Sequence, residues 1–308
     1  MNNILLYCIT VVIWGSTWIA INYQLGDVAP QASLTYRFGL AAALIFSFCL
    51  IKGLPLRFNL RQHMQFFCFG LALFGLNYYF IYSAQNYINS ALTSIGFSMI
   101  LIFNILNARV IFGTKITAQV YLGGLLGLLG ILTLFWPEIS NIHIGNEAVW
   151  GLTLCLCGTF IASIGNMISI KNQKLNLPLL PATAWGMFYG ALFMAAMTVI
   201  QGQVFNFSMT LSYITSLIYL SVFGSVVAFV CYLTLLNRIG AHKASYSSIM
   251  FPAVAVIISS VVEDFSWNIY TIIGLLFIFS GNLVLVIKPK KVLSLETKLP
   301  VKAIHINE

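Results

Sequence analysis

The run ILLYCITVVIWGSTWIAIN, residues 4–22, holds no Asp, Glu, Lys, Arg or His in its 19 positions. Wound as an α-helix at about 1.5 Å per residue it nearly matches a bilayer core roughly 30 Å thick. It is apolar on every side, which suits lipid and not a soluble core helix. Outward from it, nine further runs of the same kind fall at about 32–51, 66–84, 91–111, 118–136, 148–170, 182–200, 212–235, 243–262 and 268–287. Composition agrees: 60% of the 308 residues are hydrophobic, 7% are charged and the mean hydropathy is +0.94, against about 25% charge in soluble domains. An ordinary water-soluble enzyme is excluded, since it would lack the polar surface it needs. Continuous apolar runs of this length also argue against an outer-membrane barrel, whose strands alternate over about ten residues. The first run has no Lys or Arg before Ile4 and carries Trp14, Trp18 and Asn22, so it is read as a retained helix and not as a cleaved signal.

The charges sort by side. With the N-terminus in the cytoplasm, the even-numbered loops hold Lys52, Arg57, Arg61, Arg109, Lys115, Lys171, Lys174, Arg238 and Lys243, and the tail adds Lys288, Lys290, Lys291, Lys298 and Lys302. These are 14 of the 15 basic residues. The odd-numbered loops hold Asp27, Glu138, Glu147, Glu263 and Asp264. The positive-inside rule then sets both termini in the cytoplasm. It also supports a count of ten helices, because gaining or losing one span would scramble every later loop. The formal net charge of +8 therefore records threading and does not call for nucleic acid or another anionic macromolecule.

The chain also resembles itself. A shift of 151 residues lays Pro30 on Pro181, Gly39 on Gly190, Met99 on Met250, Gly123 on Gly274 and Gly130 on Gly281, while Phe74-Gly75 meets Phe223-Gly224 at 149. Two five-helix repeats, 1–136 and 148–287, follow, with 288–308 as a cytoplasmic tail. Five is odd, so the second repeat enters the membrane from the opposite side. The expected fold is an all-α polytopic membrane protein, ten transmembrane helices as two inverted five-helix repeats, an arrangement recurrent in secondary transporters with the site near the midplane.

The segments WGSTW (14–18), TYRFGLAAA (35–43), SALTSIGFSMILIFNILNARVIFGTKIT (90–117), EDFSW (263–267) and GLLFIFSGNLVLV (274–286) resemble the EamA-type branch of the drug/metabolite transporter superfamily. The resemblance covers residues 1–290 and names no substrate. It implies a ten-helix inverted-repeat carrier whose cavity is walled by helices 1–4 and 6–9, with helices 5 and 10 outside. Two departures stand out. The family's Leu-Gly-Glu ending of helix 4 reads Phe112-Gly113-Thr114, whereas the second half keeps Glu263, and only helix 9 has a mid-span proline, Pro252.

Arg37 is the one charge well inside a span. Intramembrane charge is costly and points to function, here a counter-charge for a substrate carboxylate or phosphate; the alternative is a long stem reaching out to Asp27 or to carbonyls. Midway through the spans lie Trp14 and Thr17, Asn77 and Tyr78, Ser98, Asn166 and Tyr189. Small hydroxyls in membranes commonly serve helix packing. Aromatic groups that bring a hydroxyl or indole N–H to mid-depth are harder to explain by packing, because their usual home is the interface. Trp14, Tyr78, Tyr82, Tyr189 and Tyr246 are therefore expected to form an aromatic box, with Asn77 and Asn166 holding a polar head. Such a wall suits amphipathic or zwitterionic organic solutes better than bare ions.

Other chemistry is missing from the sequence. All six cysteines lie in spans, where they act as small hydrophobes, and Cys155 and Cys157 point different ways on a helix, so no metal or redox site is expected. There is no Walker loop, Rossmann fingerprint, HExxH motif or nucleophile elbow, and no Asp or Glu inside a span to relay protons. The expectation is a non-enzymatic secondary transporter of the bacterial inner (plasma) membrane that needs no cofactor. It would move small organic metabolites by alternating access, with amino acids or related compounds first. Nucleotide-derived cofactors such as S-adenosylmethionine, or hydrophobic drugs, are the alternatives; an intramembrane lipid-modifying enzyme is the rival class. Partners are the substrate and the bilayer, with no nucleic acid. The chain is expected to be a monomer, or else a homodimer formed through the glycine-bearing outer helices 5 and 10.

Overall fold

A computed structural model describes residues 2–286 apart from 115–117, 135, 138–146, 241–243, 245 and 263–266, and leaves out the side chains of Val120, Tyr246, Ile249, Ala253, Asn282, Leu285 and Val286. The loop charges Lys115, Glu138, Lys243, Glu263 and Asp264, with His143, His242 and the tail 288–308, lie outside the described residues.

Ten helices appear among the described residues: α1 Asn3–Asn22, α2 Pro30–Ile51, α3 Leu60–Ala84, α4 Ser90–Phe112, α5 Ala118–Leu134, α6 Glu147–Lys174, α7 Leu179–Ile200, α8 Leu211–Ile239, α9 Tyr246–Val262 and α10 Ile269–Val286. Seven of them, α1–α4 and α6–α8, are long and apolar enough to cross a membrane; α5, α9 and α10 are shorter in their described extent. The protein is an all-α polytopic membrane protein.

Local chemistry sets the helix ends. The Asn59 side chain accepts from Gln62 N while Gln62 Oε1 accepts from Asn59 N, both at 2.9 Å, a reciprocal cap that starts α3. Asn89 Oδ1 accepts from Leu92 N at 2.9 Å to start α4. Pro30 opens α2, where its missing N–H costs nothing. Gly113 ends α4 in the left-handed region at φ 66°, so the Phe-Gly-Thr sequence keeps the glycine stop even though the family's glutamate is absent.

Packing repeats with an offset of five. α1 lies on α9 as α6 lies on α4, and α3 runs along α6 as α8 runs along α1; α2 pairs with α7 and α5 with α10. The α5–α10 contact is backbone on backbone: a Cβ on Gly130 would stand 2.7 Å from the Gly274 carbonyl oxygen, and one on Gly281 would stand 2.7 Å from that of Gly123. These are the glycines that coincide under the 151-residue shift, meeting crosswise as antiparallel neighbours. Their small size is used inside the chain, which gives the glycines an intramolecular role.

The Phe-Gly pairs also have a structural meaning. Leu71–Leu76 in α3 and Leu220–Val227 in α8 both widen into π-helical winding, and both segments begin at the residue that a shift of 149 makes equivalent. Such insertions cluster at functional sites because they redirect side chains and loosen the backbone bonding pattern.

Polar contacts define the two ends of the bundle. At one, Arg238 Nη1 donates to Asn3 Oδ1 at 3.4 Å and Trp185 Nε1 donates to the Leu56 carbonyl at 3.2 Å. At the other, Gln24 Nε2 donates to Ser216 Oγ at 3.1 Å and to the Tyr213 carbonyl, Asn206 Nδ2 donates to the Asp27 carbonyl, and Gln31 bonds Gln201. This second network joins the α1–α2 region to α7 and α8.

Candidate functional site

A cavity lies where α1, α3, α4, α6, α8 and α9 meet. Trp14, Thr17, Trp18 and Ile21 face it from α1, Leu73, Asn77, Tyr78 and Ile81 from α3, Phe97 and Ile100 from α4. Ala162 and Asn166 of α6, Phe229 and Tyr232 of α8 and Ser248 and Phe251 of α9 complete it. α2 and α7 contribute no lining residue, which narrows the eight-helix wall implied by the family resemblance. The π-wound segments explain part of the geometry. Leu73 lies inside the first, Asn77 and Tyr78 follow it directly, and Phe229 and Tyr232 follow the second.

Trp14 is the hub of the aromatic wall. Its ring meets Phe229 edge-on at 4.7 Å, Tyr232 at 4.9 Å and Phe251 at 5.6 Å, and its Nε1 donates to the Gly224 carbonyl at 3.0 Å. Trp18 packs on Phe97 at 5.3 Å. Asn166 Nδ2 donates to Asn104 Oδ1 and to the Tyr232 hydroxyl, each at 3.3 Å. Asn77 Nδ2 donates to the Leu73 carbonyl at 3.3 Å. Thr17 Oγ1 is spent on the Trp14 carbonyl at 2.9 Å.

The space open within this wall is about 40 Å³. Pockets that hold organic ligands commonly measure about 300–1,000 Å³, and about 10–15 Å³ accommodates one water. The conformation is thus contracted around its centre, with room for a few waters and none for a metabolite. Among the described residues, no Asp, Glu, Lys, Arg or His lines it.

Arg37 stands one side chain behind. It is 1% exposed; Nε donates to Ser225 Oγ at 3.0 Å and Nη1 to the Tyr82 hydroxyl at 3.3 Å. Its guanidinium carbon sits 4.6 Å from the Tyr78 ring centre and 5.1 Å from that of Phe38. It reaches neither Asp27 nor an outer carbonyl. It braces the second π-wound segment against α3 and applies a positive charge behind a cavity wall.

Of the residues singled out from the sequence, Trp14, Thr17, Asn77, Tyr78 and Asn166 come together around the cavity. Arg37 and Tyr82 form the layer behind it. Ser98 is buried at the break between the two parts of α4, its Oγ donating to the Ile95 carbonyl at 2.6 Å, and takes no part in the lining. Tyr189 departs furthest from the central position expected of it. Its hydroxyl lies 2.9 Å from His63 Nδ1 and its ring stacks on Trp185 at 5.8 Å, within an aromatic cluster at the end that carries Asn59 and Leu56. His63 is the fourth residue of α3 and Tyr189 the eleventh of α7. The two helices are offset along their axes, and a count from each helix start takes no account of that. Tyr246 opens α9, and its side chain lies outside those described.

Sequence reasoning missed Trp18, Phe97, Phe229, Tyr232 and Phe251. For Trp18 a signal existed: it is four residues after Trp14 and so shares its helix face. For the phenylalanines none existed, since an apolar ring in an apolar helix is unmarked.

A model of the EamA-like transporter family matches residues 1–136 and again residues 149–287. The chain belongs to the EamA-like transporter family. Among its relatives, the uncharacterized transporter YoaV of Bacillus subtilis is 25% identical over 91% of this chain and 96% of its own length. The uncharacterized inner membrane transporter YedA of Escherichia coli K12 is 27% identical over 81% of this chain and 79% of its own. A crystal structure of a protein 16% identical in sequence shares the fold, with a TM-score of 0.72 over 92% of this chain and 95% of that one. The EamA-like chain is accordingly a multi-pass membrane transporter of the drug/metabolite transporter type.

Proposed function

We propose that this transporter is a secondary carrier that moves small organic metabolites, amino acids or related compounds, across the inner membrane by alternating access. The observation that carries the reading is the aromatic and amide-lined cavity, free of charged side chains among the described residues, built from helices of both halves. Its contraction to about 40 Å³ fits a carrier caught between accessible states, in which the two halves must part before a solute enters. Charge sorting supports cytoplasmic termini, and the name of the relative YedA supports an inner-membrane location. With no carboxylate among the described residues of the cavity, movement down a gradient or by exchange suits the site better than obligatory proton coupling.

The test is uptake of labelled amino acids into proteoliposomes holding the purified protein. Saturable uptake that persists without an imposed pH gradient is the expected result. No flux of any solute, together with a lipid-modifying activity, would overturn the carrier reading.

A further inference from the structure

We propose that the groove between α4 and α5 binds an anionic phospholipid, with one acyl chain lying in the groove and the phosphate held at Arg109. The groove is separate from the central cavity, and the inference stands independently of the carrier reading. The two helices are consecutive in the chain. Among the described residues, however, α5 packs along α10 and leaves a space of about 390 Å³ on its α4 side. That volume is within the range of about 300–1,000 Å³ that organic ligands occupy, whereas the centre of the bundle holds about 40 Å³. Ile102 and Leu106 line the groove from α4, and Tyr121, Leu125 and Leu128 line it from α5. The helices approach at Gly124, where a Cβ would stand 3.7 Å from Ile102 Cγ1, so a longer side chain there would enter the groove.

Depth and register name the occupant. Ile102 lies ten residues before the end of α4 at Phe112, and Leu128 lies ten residues after the start of α5 at Ala118. At about 1.5 Å per residue both walls run roughly 15 Å inward from the helix ends, half of a hydrocarbon core of about 30 Å. That is the depth of one leaflet, the length over which an acyl chain is laid out. Leu106, Tyr121, Leu125 and Leu128 are exposed, so the groove opens sideways to the bilayer. Its mouth is cationic. Positions 102, 106 and 109 follow the i, i+4, i+7 spacing of one helix face, so Arg109 continues the α4 wall into the last turn, where it is exposed. Lys174 Nζ adds a second positive charge at this helix end, 4.2 Å from the centre of the Phe112 ring. Tyr121, the fourth residue of α5, supplies a hydroxyl on the opposite wall. A guanidinium meets phosphate oxygens with two parallel N–H donors, and basic pockets between transmembrane helices take anionic head groups. A zwitterionic head group carries its own cation beside the phosphate, so an anionic one is favoured. A second copy of the chain would cover the aliphatic walls and leave the arginine at their end without a purpose.

The test uses the purified full-length protein in nanodiscs doped with phosphatidylglycerol bearing a diazirine midway along one acyl chain. Matched discs carry phosphatidylcholine with the same chain. After irradiation, peptide mass spectrometry is expected to find adducts concentrated on residues 102–106 and 121–128, at least twofold more with phosphatidylglycerol. Arg109→Gln should bring that ratio below twofold, and Arg109→Lys should restore it. Gly124→Leu should lower labelling of the groove by both lipids; the wild-type comparison of the two lipids decides alone if this variant fails to fold. Adducts spread evenly over the lipid-facing helices, or a wild-type ratio below twofold, overturn the proposal. Absence of groove adducts together with a crosslink between Tyr121→Cys residues of two copies also overturns it and makes this face a homodimer interface.

Discussion

The guanidinium carbon of Arg37 lies 4.6 Å from the centre of the Tyr78 ring, and Tyr78 lines the cavity. Among the described residues no carboxylate pairs with this cation, so its field reaches whatever occupies the site. At an effective dielectric of about 20, a unit charge roughly 8 Å away is worth about 2 kcal/mol. Arg37→Met is therefore expected to strengthen binding of a net cation such as isopentylamine by about thirtyfold and to change a net-neutral zwitterion far less, because its two charges feel opposing terms. Stability should change by no more than about 2 kcal/mol, because two lost hydrogen bonds of about 1 kcal/mol each are offset by removing a buried charge. Arg37→Lys keeps the charge and should keep the discrimination. Fluorescence titration of the three proteins checks this; unchanged affinity for the amine in Arg37→Met would refute it.

The crossed glycines of α5 and α10 make a sharper stability prediction. Ala at Gly130 or Gly281 places a methyl group 2.7 Å from a backbone carbonyl oxygen, and neither helix can yield without moving. A loss of about 1–3 kcal/mol is expected for each, the usual cost of overpacking. Gly127→Ala, on the same helix, meets nothing within 4 Å and should be neutral or gain up to about 1 kcal/mol, since alanine orders a helix at lower entropic cost than glycine. Unfolding in detergent micelles reads the contrast, and a destabilised Gly127→Ala beside a normal Gly130→Ala would contradict this packing.

Trp14 joins the cavity wall to the second π-wound segment. Its indole N–H is a donor to Gly224 O at 3.0 Å, within a stretch whose own backbone bonding is displaced by the wider winding. Trp14→Phe retains an aromatic ring beside Phe229 but removes that donor. The expected cost is about 1–2 kcal/mol, with a reduced initial uptake rate as the segment loses its tie to α1. Equal stability of variant and wild type would show that the carbonyl finds another donor.

The membrane class and much of the helix register were legible in the sequence because they depend on length and on charge, both of which a bilayer enforces strictly. The Phe-Gly match at positions 74 and 223 even marked the two π-wound segments, although nothing in the residues disclosed the altered winding. The facing of each helix was less legible. A soluble helix advertises its inner face by polarity, whereas α1 and α7 are apolar all round, and so depth along the chain had to stand in for direction. Depth brings Asn77 and Asn166 to the cavity wall because a mid-span amide must face other protein or a cavity. It failed for Tyr189, which finds its hydroxyl partner in His63 at the offset start of α3, and it passed over Tyr232.

That exchange of one tyrosine for another yields the last prediction. The Tyr232 hydroxyl accepts from Asn166 Nδ2 at 3.3 Å and so helps fix which way the amide oxygen points. Tyr232→Phe removes the acceptor, lets the amide turn, and should weaken binding of an amino-acid probe by about three- to tenfold, the equivalent of about 1 kcal/mol for one hydrogen bond. Tyr189→Phe breaks a contact with His63 outside the cavity and should leave that affinity within twofold of wild type. Both hydroxyls are lost at the same chemical cost, so the difference between the variants isolates location. A larger loss in Tyr189→Phe than in Tyr232→Phe would move the substrate path from the cavity centred on Trp14 to the aromatic cluster of Trp185 and His63.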